Sequence, residues 1–150
     1  MRTGLLLAAW FTATLLATDT RAGRPDFSGT WVLDLGKSEN PDQKLRSLVW
    51  VITDKDEMLT QVKQIETTDG KHKTVHIACG TKGTECKLAN GSATVSMWYN
   101  GPLLIQLEKR GEAVIKRKMS LSPDGRLLEV DVTAIMPKER REKLVFARKD

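Results

Sequence analysis

From Leu48 onward the chain alternates apolar and polar side chains in short runs, and each run stops at a turn-forming residue. Leu48-Val49-Trp50-Val51-Ile52 is β-branched and apolar before Asp54-Lys55-Asp56; Met58 to Ile65 ends at Asp69-Gly70; Thr74 to Cys79 leads into a glycine-rich hairpin. Ala93-Val95-Met97-Tyr99 alternates with Thr94-Ser96-Trp98, Leu103-Ile105-Leu107 with Gln106 and Glu108, and Leu128-Val130-Val132-Ala134 with Glu129-Asp131-Thr133. Period-two patterning with turns about every ten residues is the mark of an antiparallel meander. Asn90-Gly91 and Asp124-Gly125 suit tight turns, because those residues tolerate positive φ. No long window carries a helical stripe; the best helix candidate, Asn40 to Leu48, contains Pro41. The expected fold is all-β, a meander of about 8–10 strands that closes into a barrel and so removes its sheet edges.

The N-terminus follows another pattern. Arg2 precedes an apolar run from Leu5 to Ala17, and Thr20-Arg21-Ala22 offers a small-x-small cleavage site. Residues 1–22 read as a signal peptide, too short to span a bilayer comfortably, with a retained anchor as the alternative. The expected product is exported to the periplasm or beyond, with one domain over residues 23–150 and no stable membrane insertion after cleavage.

Asp26-Phe27-Ser28-Gly29-Thr30-Trp31 opens that domain. Phe27-x-Gly29-x-Trp31-x-Leu33 resembles the N-terminal signature of calycins, the lipocalins and fatty-acid-binding proteins. More narrowly, DFSGTWVLDLGKS together with VSMWYNG, LSPDG and EKLVF resembles bacterial secreted lipocalin-like proteins of unknown function. The resemblance implies a lipocalin-like β-barrel in which Trp31 packs across the closed end. It also implies a basic residue of the last strand lying over that indole: Arg148, or else Lys149. Two departures restrict what carries over. Asp34 to Arg46 is too short for a two-helix lid, and Lys149-Asp150 after Arg148 leaves no Arg-x-Tyr carboxylate clamp.

Composition changes this picture little. The 150 residues carry a formal net charge of +5, and without residues 1–22 there remain 22 basic and 18 acidic residues spread along the chain. No basic stripe interleaves with aromatics, so a nucleic-acid partner is not expected. Cys79 and Cys86 flank six residues; across a hairpin they would face each other, and in an oxidising compartment a pair is expected to bridge, two free thiols being the alternative. His72 and His76 would lie about 13 Å apart on a strand, too far to share a metal, and no metal or cofactor is expected. Glu129 and Asp131, about 6–7 Å apart, match an exposed strand face as well as a carboxylate pair. With no Gly-x-Ser-x-Gly and no phosphate-cradling loop, the chain is not expected to be an enzyme.

The functional expectation is a monomeric exported barrel that binds a small apolar or amphipathic ligand. Trp98 and Leu104 are its candidate lining residues, on the reasoning that a ligand-holding interior takes the mixed polar face; packing aromatics are the plainer account of Trp98. The alternative is an envelope interaction or inhibitor module using Pro137-Lys138-Glu139-Arg140-Arg141-Glu142-Lys143 as a contact loop.

Overall fold

The computed structural model describes residues 23–89 and 91–150; the expected signal peptide lies outside the described residues. Ten antiparallel strands follow in chain order: β1 (Gly29–Leu33), β2 (Leu45–Lys55), β3 (Met58–Thr67), β4 (His72–Gly80), β5 (Lys82–Lys87), β6 (Thr94–Asn100), β7 (Leu103–Arg110), β8 (Ala113–Leu121), β9 (Leu127–Met136) and β10 (Arg140–Lys149). They form one sheet, ordered β4-β3-β2-β1-β10-β9-β8-β7-β6-β5, which curls into a nearly closed barrel. Pairing of β1 with β10 joins the two chain ends of the domain, Trp31 opposite Arg148 and Leu33 opposite Phe146. The helix candidate at 40–48 is instead an irregular connection that enters β2 at Leu45. Pro41 withholds a backbone donor there, and the apolar side chains of β2 alternate with period two.

The sheet edges β4 and β5 meet at a seam without a backbone ladder between them. This corrects the hairpin expected around Cys79 and Cys86. The chain leaves β4 at Thr81, whose buried amide donates to Glu57 O (2.9 Å) in the neighbouring turn instead of to β5. The disulfide does form, with the Cα atoms 5.7 Å apart, and it is the covalent tie across the seam. Beyond it, Lys73, Val75 and His76 face Leu88 and Arg110 across a cleft of about 200 Å³.

One barrel end is packed shut. Phe27, Trp31, Leu59, Met97, Leu104, Met119 and Leu128 are fully buried there or in the core above it. Trp31 Nε1 donates to Phe27 O (3.0 Å), and Arg148 lies over the Trp31 ring with its Cζ 4.3 Å from the centroid. Arg148 also donates from Nη1 to Ser28 O (2.8 Å) and from Nε to Gly125 O (2.9 Å). Gly29 holds φ +146°, and a Cβ there would stand 2.6 Å from Arg148 Nη1. Only glycine leaves room for that guanidinium. Arg24 completes the plug, 3.8 Å above the Tyr99 ring and donating to Thr81 Oγ1 (3.2 Å), so the segment before β1 crosses both the closed end and the seam.

Candidate interior binding site

Cross-strand register decides which side chains reach the barrel interior, since directly opposed residues share a face. On β6 and β7, Val95 pairs with Glu108, Met97 with Gln106 and Tyr99 with Leu104. Across β8, Leu104 pairs with Met119, Gln106 with Arg117 and Glu108 with Ile115. Val95, Met97, Leu104 and Met119 belong to the core, so Gln106, Glu108 and Arg117 also point inward. Leu104 is therefore an interior residue, fully buried in the packed part of the barrel. The expectation that Trp98 lines a cavity is corrected: its register neighbours are Ile105 and Lys82, on the outer face. On β6 the apolar set Val95, Met97 and Tyr99 turns inward, whereas on the neighbouring β7 the mixed set does so.

Above the packed end the interior opens into a cavity of about 400 Å³. Its wall is mostly apolar, with Leu48, Trp50, Ile65, Val130, Leu144 and Phe146 prominent, and Asp42, Lys44, Arg140 and Glu142 stand at the charged positions contributed by the β1–β2 connection and by β10. Arg140 and Glu142 pair at 2.8 Å. Burial raises the Glu142 carboxyl, with Arg140 opposing, Asp42 adding to the rise and Arg117 working against it. The run from Pro137 to Lys143 is thus only partly a loop, because β10 begins at Arg140 and sends two of its charges to this cavity.

A polar group interrupts the apolar wall. Lys63 of β3 sits opposite Trp50 of β2, only 8% exposed, its Nζ 4.3 Å from the centre of the indole ring. Burial holds this amine well below the ordinary lysine range; Arg117 adds to the fall and Glu108 works against it. Glu108 accepts from Arg117 Nη1 (2.8 Å) and Arg110 Nη2 (3.3 Å). Burial pushes the Glu108 carboxyl up, but Arg117, Lys63 and Arg110 together leave it below its ordinary value. Glu108 is thus committed to two arginines, and among the described residues no carboxylate hydrogen-bonds Lys63. Trp50 Nε1 is likewise buried without an acceptor. The cavity wall therefore carries three donors, Lys63, Arg117 and Trp50 Nε1, beside carboxylates that are already engaged: Glu108 by two arginines and Glu142 by Arg140.

Lys63, Glu108 and Arg117 escaped the sequence reading. Each occupies the phase of apolar neighbours two or four positions away: Lys63 with Ile65, Arg117 with Ile115 and Met119, Glu108 with Leu104. A charged residue in such a phase is the signal that could have found them. Glu129 and Asp131, by contrast, pair with Lys143 (3.0 Å) and Lys118 (3.2 Å) at half-exposed positions. His72 and His76 are exposed on β4.

No protein-family model and no curated protein matches the chain. Solved structures do. A Schistosoma mansoni fatty acid binding protein in complex with arachidonic acid superposes with a TM-score of 0.62 at 15% identity, over 83% of this chain and 96% of that one. The fluorescent protein UnaG gives 0.60 at 14% identity over 82% and 97%. A secretary abundant heat soluble protein from Ramazzottius varieornatus gives 0.62 at 14% identity over 82% and 95%. At these identities the likeness is one of fold: the domain is a calycin-type barrel.

Proposed function

We propose that the barrel binds one small amphipathic molecule in the cavity behind Asp42 and Arg140, its apolar body against Leu48, Ile65, Val130 and Phe146. Its polar head carries an oxygen acceptor directed at Lys63, Arg117 and Trp50. The observation that carries this reading is the donor set: three buried or half-buried donors share one wall, and the carboxylate that acts on Lys63, Glu108, is already held by two arginines, while Glu142 pairs with Arg140. A cavity of about 400 Å³ falls in the range of small-molecule sites, mostly apolar with a few placed polar groups. The superposable fatty acid binding protein holding arachidonic acid supports an interior ligand by analogy of fold, a weaker warrant than the site itself. The proposal includes a binding role without turnover, carried out by the monomer after export.

Titration with dodecanol and dodecanoate, followed by tryptophan fluorescence, tests it. Binding is expected to quench Trp50 in the unaltered protein and not in Trp50→Phe. Filling the cavity with Val132→Trp is expected to weaken binding at least about tenfold, or roughly 1.4 kcal/mol. Binding that is indifferent to Val132→Trp, or no binding by either compound, would defeat the reading.

A further inference from the structure

Lys63 is an unusual group to place in such a wall. A buried amine normally meets a carboxylate, because an unpaired ammonium in an apolar setting is costly. Here Glu108, the nearby carboxylate, is engaged by Arg117 and Arg110, and the ammonium faces the indole ring of Trp50. Arg117, half-buried on the same cavity wall, is a second cation acting on it. Desolvation together with a neighbouring cation is the arrangement that turns a lysine into a free-amine nucleophile. The cavity supplies the remaining requirement, an apolar chamber in which a carbonyl compound can be held against Nζ and away from bulk water.

We infer that Lys63 forms an imine with an aldehyde-bearing amphipathic ligand, so that the barrel retains aldehydes covalently and reversibly. The inference rests on the interior-ligand reading above and gives the oxygen acceptor an identity. The Nζ lone pair attacks the carbonyl carbon, a C–N bond forms, and the C=O π pair moves onto oxygen. That oxygen takes up a proton released from nitrogen, giving a carbinolamine. Loss of the hydroxyl with the second nitrogen proton, as water, leaves the C=N bond. One amine and one aldehyde become one imine and one water, with no oxidant or reductant consumed. Arg117 is placed to receive the carbonyl oxygen as negative charge gathers on it, and the Glu108 pairing holds the guanidinium in position. Burial lowers the Lys63 amine well below the ordinary lysine range, so a larger share of it is free amine than on surface lysines at the same pH.

The purified protein is incubated with dodecanal, with and without cyanoborohydride, and examined by intact mass, peptide mapping and Trp50 fluorescence. A mass gain of one dodecyl group at Lys63 is expected. The rate should exceed that of surface lysines at least about tenfold, the change in free amine for each unit of lowered pKa. Dodecanol should protect Lys63, and Lys63→Met and Lys63→Arg should abolish the fast label while circular dichroism shows the barrel intact. If Trp50 responds to dodecanal and dodecanol but Lys63 stays unlabelled, or Lys63→Met labels as fast as the unaltered protein, the imine is overturned and the binding reading stands. If neither fluorescence nor mass changes, both fall.

Discussion

Replacing Gly29 by Ala should act on Arg148, at the opposite end of the domain sequence. The added Cβ would stand 2.6 Å from Arg148 Nη1 and 3.4 Å from its Cζ, so the guanidinium must leave its place over Trp31. Leaving it forfeits the stacking on the indole, worth up to about 2 kcal/mol when desolvated. It also forfeits hydrogen bonds to Ser28 O and Gly125 O, about 1.5–3 kcal/mol each for a charged donor. These contributions overlap, and Arg148 is only half-buried, so Arg148→Met is expected to cost about 2–4 kcal/mol in total. Urea unfolding read by tryptophan fluorescence measures it directly, and each kcal/mol should lower Tm by about 3–6 °C. Gly29→Ala loses the same contacts and adds strain at φ +146°. That strain is present in both backgrounds, so a double-mutant cycle isolates the contact: Gly29→Ala should cost at least about 1 kcal/mol less when Arg148 is already Met. Additivity within about 0.5 kcal/mol would refute the reasoning that glycine is required there to admit the arginine.

Three further outcomes are expected. Replacing both Cys79 and Cys86 by Ser, or reducing the bridge, should lower stability by about 2–2.5 kcal/mol from loop entropy alone, read as a shift in the urea midpoint. Lys63→Met should raise the urea midpoint at about pH 7, because the unfolded chain titrates at its ordinary 10.5 and the folded amine, facing Arg117 and Glu108, well below it. Between the folded value and 10.5 the unfolded state binds more protons, so stability rises with pH in that window, and the advantage of Lys63→Met should shrink towards about pH 10; a constant advantage would contradict this. Gln106→Met should be stabilising by about 1 kcal/mol or more, since both carboxamide atoms are buried without a partner among the described residues; a loss of stability would show that the amide is satisfied by ordered water.

The closed end of the barrel was the most legible part of the chain. Trp31, Gly29 and Arg148 were reached through the resemblance to calycins, with Lys149 as the alternative cation, and the structure brings Arg148 onto the ring with a glycine where the two meet. Turns were legible for a similar reason, as at Ser122-Pro123-Asp124-Gly125, where Gly125 takes φ +68°. The interior was harder. Alternation divides a strand into two faces but does not say which one turns inward, and β6 and β7 resolve that choice in opposite ways. Trp98 looked like a cavity residue from its polar companions Thr94 and Ser96, yet β6 buries Val95 and Met97 instead. On β7, Ile105 is buried on the outer face while Gln106 and Glu108 turn in. The donor cluster was invisible for a further reason: Lys63, Glu108 and Arg117 come from three strands, and only barrel closure brings β3 round to β7 and β8.

The most direct test of an interior ligand is the indole N–H resonance of Trp50 during titration with dodecanoate or dodecanal. Trp50 Nε1 has no acceptor among the described residues, whereas Trp31 Nε1 is bonded to Phe27 O and Trp98 lies on the outer face. A ligand head that reaches the Lys63 wall should shift the Trp50 resonance and leave those of Trp31 and Trp98 in place. A shift confined to Trp98, or an unmoved Trp50 while ligand is bound, would place the ligand elsewhere and contradict the account.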